Sequence, residues 1–132
     1  MWVKYSCYYL TLAAAHHLFK FYVDEIAASD PRIDLLHRHD LAGLPPTLLA
    51  FGHCDILFDE CVAFARKLQS ANVPLEVLTY PGFIHGFLGF SDQVPEVSNA
   101  FQVIGRSLAI GLDGVGTPVT ANSNFTLPVG PR

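Results

Sequence analysis

Short apolar runs separated by polar turns divide the chain into strands and helices. Thr47–Gly52 is nearly all apolar, as in a strand that is buried on both faces, and Leu75–Tyr80 is predicted to be a second strand. Between them, apolar residues recur along one side of Glu60–Ser70, which predicts a helix with Asp59 placed to cap its start. A strand, a helix and a strand within about thirty residues predict a βαβ unit with parallel strands and a right-handed crossover.

A further helix is predicted on each side of this unit. The opening stretch WVKYSCYYLTLAAAHHLF is interrupted by Lys4, His16 and His17, so it is shorter than the roughly 20 apolar residues that span a membrane. We expect an amphipathic or buried helix that continues through Tyr22, with a weak signal peptide as the alternative. Pro95 opens the last helix, whose apolar residues are spaced four, three and four positions apart: Val97, Phe101, Ile104 and Leu108.

The composition changes after this last helix. Residues 111–132 are rich in Gly, Pro, Ser, Thr and Asn, which predicts a disordered tail. Residues 1–110 then form a single α/β domain. The whole chain has 132 residues, of which 51% are hydrophobic, and a mean hydropathy of +0.33, so it is apolar enough to bury a core and too apolar to be disordered throughout.

Charge and cysteine content exclude several classes of partner. The net charge is -4 with only 8 Lys and Arg residues, so no basic face for nucleic acid is expected. The three cysteines (Cys7, Cys54 and Cys61) are odd in number and have no C-x-x-C spacing. Reduced thiols are therefore expected rather than a disulfide framework or a zinc site, and they favour a cytoplasmic location.

Two loops with chemically useful side chains follow the two predicted strands. Asp55 lies in the loop after the first strand, and His85 lies in the loop PGFIHGF after the second. The glycines around His85 allow tight turns and the close approach of another group. Because the carboxyl ends of parallel strands meet at one edge of the sheet, Asp55 and His85 should emerge side by side. An acid beside a histidine makes up two-thirds of a hydrolytic triad.

Three segments resemble the C-terminal part of the hormone-sensitive-lipase-like esterases of the α/β-hydrolase superfamily. They are DPRIDLL (30–36), LAGLPPTLLAFGHCDILFDE (41–60) and VPLEVLTYPGFIHGF (73–87), within a resemblance from about Tyr8 to Leu108. The resemblance implies that Asp55 is the triad acid and His85 the triad base, although Ile56 replaces the usual proline. It also implies a small carboxylic ester as substrate, no cofactor, no metal, and a partial α/β-hydrolase domain with a cap-like first helix.

Two parts of the family's machinery are absent from the sequence. The nucleophile elbow (G-D-S-A-G) and the oxyanion-hole motif (HGG) do not occur, and only Ser6 and Ser29 precede Asp55, where the chain order requires a serine. The chain therefore looks like the last third of an esterase, with an incomplete sheet whose exposed edge favours self-association. Two interpretations stay open: esterase machinery that needs a complementary segment, or a catalytically inactive remnant or apolar-ligand-binding module.

Other reactive side chains have simpler explanations. Cys54 is a conceivable nucleophile, but it lies in the acid loop rather than in a strand-to-helix elbow, so an ordinary thiol is preferred. His37–Asp40 and the pair His16–His17 match no recognised metal-ligand framework. Five aromatic residues lie near the start of the chain: Tyr8, Tyr9, Phe19, Phe21 and Tyr22. They are expected to line an acyl pocket, as the resemblance suggests, or to pack in the core, which is an equal or better explanation.

Overall fold

The computed structural model describes residues 5–23 and 30–113. These residues form, in order, helix α1, strand β1, helix α2, strand β2, a short 3-10 helix and helix α3. Their limits are Leu12–Tyr22 (α1), Thr47–Gly52 (β1), Phe58–Ser70 (α2), Leu75–Tyr80 (β2), Phe87–Phe90 (3-10 helix) and Pro95–Asp113 (α3). The predicted α/β class and the predicted order of elements are therefore confirmed.

The two strands form a parallel sheet, as the sequence predicts. They pair in register from Thr47 opposite Leu75 to Gly52 opposite Tyr80, and the limits of both strands agree with the prediction. Only the last two residues of β1 are buried and the first four are half-buried, so the expectation of a strand buried on both faces is wrong for most of its length. The sheet of the described residues has two strands, too few to cover both faces.

The core consists of three clusters of buried side chains. Two clusters between α2 and the sheet bury Leu41, Leu68 and Val73 in one and Phe51, Phe58 and Val62 in the other. A third cluster joins α3 to the loop after β2 and buries Phe87, Val97 and Ala100. Full burial of one such leucine or phenylalanine stabilises the fold by about 1.5–3 kcal/mol. The strand ends that carry the predicted site are thus fixed by packing from α2 and α3.

Helix α1 is less integrated than the sequence suggests. It begins after Thr11, whose Oγ1 accepts a hydrogen bond from the N–H of Ala14 at 3.0 Å, and none of its residues is buried. The alternative of a buried opening helix is therefore wrong for the described residues. Core packing is likewise wrong for the early aromatic set, since every member is exposed: Tyr8, Tyr9, Phe19, Phe21 and Tyr22.

Helix α3 extends beyond the boundary expected from composition. It continues through Gly111 to Asp113, three residues past the predicted end of the domain. The rest of the predicted disordered tail, residues 114–132, lies outside the described residues. Within the described ranges, no helix is both long and apolar enough to cross a membrane.

Candidate active site

The loops after β1 and β2 are joined by backbone hydrogen bonds beyond the ends of the strands. The N–H of His53 donates to the carbonyl of Tyr80 at 3.0 Å, and the N–H of Cys54 donates to the carbonyl of Phe83 at 2.9 Å. Gly52 makes this approach possible, because a Cβ atom at that position would lie 2.1 Å from the Phe83 carbonyl oxygen. These contacts therefore hold the two loops side by side at the carboxyl edge of the sheet.

Asp55 and His85 form a hydrogen-bonded pair at this edge. The His85 Nδ1 atom lies 3.0 Å from Asp55 Oδ2, and the other carboxylate oxygen, Oδ1, accepts the N–H of Leu57 at 2.8 Å. The Asp55 side chain is 9% exposed and the His85 side chain 37% exposed. An ionised carboxylate only accepts hydrogen bonds, so in this pair Nδ1 carries the hydrogen and Nε2 is the basic nitrogen. The sequence predicted this meeting of the two side chains.

The histidine is held by aromatic residues on both sides of it in the chain. Phe83 stacks on Tyr80 with ring centroids 5.7 Å apart, and Phe87 lies 5.1 Å from each of these rings. Phe87 also belongs to the cluster that packs against α3. Gly82 and Gly86 have φ angles of 80° and 68°, which the turn needs and which other residues rarely adopt. Pro-Gly and Gly thus let the chain bury Phe87 and half-bury Phe83 while turning His85 toward Asp55.

Tyr9 reaches the same turn from the other end of the chain. Its ring is 5.6 Å from that of Phe90, and its Cε1 atom lies 3.2 Å from the position that a Cβ atom would take at Gly86. Tyr9 is 68% exposed. Of the early aromatic residues, Tyr9 is therefore the one placed beside the histidine loop, and only the fold identifies it.

The expected assignment of the helix cap is wrong. Helix α2 begins at Phe58 after Leu57, so Asp59 lies in the first turn rather than at the N-cap. The side chain that binds the N–H of Leu57 is Asp55 itself. The same aspartate therefore orders the start of α2 and contacts the histidine. Two acidic residues four positions apart both suit a helix start, and the sequence alone does not distinguish them.

Two thiols lie near this pair, and one of them is protonated at neutral pH. Burial, reinforced by the charges of Asp55 and Glu60, raises the pKa of Cys61 to about 11, so this thiol stays protonated at neutral pH. Cys54 is half-buried, and the described hydrogen bond of the His85 ring is to Asp55 rather than to a thiol. In the described part of the chain, no three His, Cys, Asp or Glu side chains converge as metal ligands.

Comparisons with known proteins concern the fold family of the chain. Residues 3–89 match a family described as alpha/beta hydrolase fold. An esterase of Acinetobacter venetianus is 35% identical over 105 residues, which are 79% of this chain and 34% of that protein. An ethyl acetate hydrolase of Pseudomonas putida is 29% identical over 79 residues, 60% of this chain and 25% of that protein.

Solved structures show the same likeness. The thermophilic carboxylesterase EstE1, cloned from a metagenomic library, superposes with a TM-score of 0.78 at 25% identity, covering 84% of this chain and 39% of that one. This chain therefore spans only about a third of the length of the related Acinetobacter esterase.

Proposed function

Because this chain belongs to the alpha/beta hydrolase fold family, we propose that Asp55 and His85 are the acid and the base of a serine-type site that hydrolyses a small carboxylic ester. The observation that carries the proposal is the 3.0 Å contact between His85 Nδ1 and Asp55 Oδ2 at the carboxyl edge of the sheet. The names of the similar proteins, esterase and ethyl acetate hydrolase, support an ester as the substrate class.

The proposed roles follow from which atoms are already engaged. Asp55 is fixed through Oδ1 by the N–H of Leu57, so its Oδ2 holds the His85 ring in one orientation and one tautomer. His85 Nε2 then accepts the proton of a serine hydroxyl as this oxygen attacks the ester carbonyl, and returns the proton to the leaving alcohol. The carboxylate stabilises the imidazolium that forms between these steps.

The nucleophile has to come from outside these 132 residues. The sequence has neither a G-x-S-x-G elbow nor an HGG motif. We propose that the serine and the oxyanion hole are supplied by a polypeptide equivalent to the remaining two-thirds of the related esterases. The 132-residue chain alone should therefore not hydrolyse p-nitrophenyl acetate above background, because both the covalent step and the main electrostatic stabilisation are missing.

A grafted enzyme tests the proposed roles. The matched 105-residue segment of the Acinetobacter esterase would be replaced by the corresponding part of this chain. We expect the graft to hydrolyse p-nitrophenyl acetate, and Asp55→Asn to lower kcat by about 10⁴-fold with little change in KM. His85→Ala should abolish the activity. The matched control, Cys54→Ser, should keep it, since the thiol has no part in the reaction.

The competing function is that of a non-catalytic module that binds apolar ligands. Its specific support is the exposed aromatic surface of α1 and of the segment before it, where Phe21 and Tyr22 are 79% and 83% exposed. A graft that folds but is inactive with His85 intact would favour this alternative. Activity that survives His85→Ala would reject the acid–base assignment and would point to Cys54 or an unusual serine.

The proposal includes the setting of the protein. The three cysteines are free, which suits a reducing compartment, so we propose a cytoplasmic location. We also propose that the hydrolase portion extends to the end of α3. Treating the purified chain with maleimide in urea, before any reduction, should modify all three cysteines.

A further inference from the structure

A cleft of about 420 Å³ lies at the end of α2 that is far from Asp55 and His85. Helix α2 has 13 residues, so its last residue is about 18 Å from its first. The polar side chains that line this cleft come from the loop before β1 and from the end of α2: Arg38, His39, Arg66, Lys67 and Ser70. None of the described residues lining it is acidic, although the chain as a whole carries a net charge of -4. We call this feature the α2 cleft.

Lys67 holds the two walls of the α2 cleft together. Its Nζ atom donates to the carbonyls of Leu36 and Arg38, at 2.5 and 2.6 Å, across 31 and 29 residues of the chain. These bonds fix the loop that carries Arg38 against the last turns of α2. An ammonium has three donors, so one N–H of Lys67 is left for a further acceptor. The walls of the cleft are therefore held in place by hydrogen bonds from Lys67 to the backbone.

The positive charge of the cleft is only partly compensated. Arg38 pairs with Asp40 at 2.8 and 3.1 Å, and the carbonyls that Lys67 contacts carry no formal charge. Arg66 pairs with no carboxylate among the described residues. The carboxyl end of α2 contributes roughly half a negative charge. Two full positive charges, on Arg66 and Lys67, therefore exceed the opposing half charge, and a multivalent anion would restore the balance.

We propose that the α2 cleft binds a small phosphate-bearing anion. The planar guanidinium of Arg66 suits two phosphate oxygens at once, the free N–H of Lys67 supplies a point charge, and the Ser70 hydroxyl supplies a further donor. The site is independent of the proposed ester hydrolysis, because it shares no residue with the Asp55–His85 edge. It also gives a function to the histidine- and arginine-containing segment 37–40, which the hydrolase site does not use.

The test is a titration of the full 132-residue chain with pyrophosphate, followed by ³¹P NMR line broadening and by calorimetry. We expect saturable binding at about 0.15 M salt, weakened about tenfold by Arg66→Gln because one charge-assisted contact is lost. The matched control is Arg106→Gln, which removes the same charge from an exposed position of α3 outside the cleft. This control should leave the affinity within about twofold of wild type.

Two results would overturn the proposal. One is the absence of saturable pyrophosphate binding, and the other is an equal loss of affinity in Arg66→Gln and Arg106→Gln, which would mean non-specific attraction. A lipid phosphate offers the same chemistry, so sedimentation with phosphatidic acid vesicles is run in parallel. Sedimentation that Arg66→Gln abolishes, combined with pyrophosphate binding, would show that the cleft accepts both a free phosphate and a lipid phosphate. Pyrophosphate binding without sedimentation assigns the cleft to a free anion. Sedimentation without pyrophosphate binding overturns the assignment to a free anion.

Discussion

Replacing Gly52 by alanine should uncouple the two loops that hold Asp55 and His85. The added Cβ atom would lie 2.1 Å from the carbonyl oxygen and 2.6 Å from the carbonyl carbon of Phe83. Both contacts are to backbone, so no side-chain rotation relieves them. Since carbon and oxygen atoms pack at about 3.3 Å or more, the loop after β2 has to move by about 1 Å.

The cost can be worked out from the bonds that this movement breaks. The hydrogen bonds from His53 to Tyr80 and from Cys54 to Phe83 cross the same junction, and each contributes about 0.5–1.5 kcal/mol. Forcing an extra methyl group into a packed site costs a further 1–3 kcal/mol or so. The expected loss is therefore about 2–6 kcal/mol. At about 4 °C per kcal/mol, the unfolding midpoint should fall by roughly 8–24 °C.

Thermal unfolding followed by circular dichroism measures this shift, at one fixed protein concentration for all variants. Gly105→Ala is the matched control: its Cβ meets nothing within 4 Å, and the residue lies inside α3, where alanine should stabilise by about 0.5–1 kcal/mol. In the grafted esterase, Gly52→Ala should also lower kcat by about 100-fold, because a 1 Å displacement of the base is enough. An unchanged midpoint for Gly52→Ala beside a normal Gly105→Ala would refute the close contact of the loops.

Two further predictions concern the thiol and the exposed surfaces. A variant that keeps only Cys61 should react with a disulfide reagent at pH 8 roughly 100-fold more slowly when folded than in urea, because burial raises the pKa of this thiol to about 11. The rate for the folded protein should rise about tenfold per pH unit up to that value. Equal rates in the two states would show that the thiol is not buried. In size-exclusion chromatography the chain should elute as concentration-dependent oligomers. Among the described residues β1 pairs only with β2, which leaves its other edge open, and Phe101, Leu108 and Leu112 are exposed along α3. A monomer at every concentration would contradict this.

The strands and their meeting edge were predictable because they depend on local and general rules. Unbroken apolar runs bounded by turn residues fix the limits of Thr47–Gly52 and Leu75–Tyr80, and parallel pairing brings their carboxyl ends together whatever the rest of the fold does. That is enough to place Asp55 near His85. The family resemblance drawn from the motifs around these residues is likewise confirmed by the match over residues 3–89.

The details that failed all depend on contacts between distant segments. Asp59 is a good cap residue in sequence, but α2 begins at Phe58, and its N-cap, Leu57, donates its N–H to Asp55, which also contacts His85. Helix α1 has an apolar composition whether or not a partner covers it, so the pattern left an amphipathic and a buried helix open, and none of its residues is buried. The approach of Tyr9 to Gly86 joins positions 77 residues apart, which no local pattern records.

The hydrogen bonds that orient the Asp55–His85 pair lie inside the βαβ unit, and the helix after it and Tyr9 add packing around the histidine turn. Asp55 is fixed by Leu57 at the start of α2, while the His85 loop is anchored by Phe87 against α3. The backbone bond from Cys54 to Phe83 joins the two. A nucleophile elbow contributed by other strands would meet a preformed pair rather than have to organise one. This modularity is why a graft into a related esterase is a fair test: the pair carries its own geometry with it.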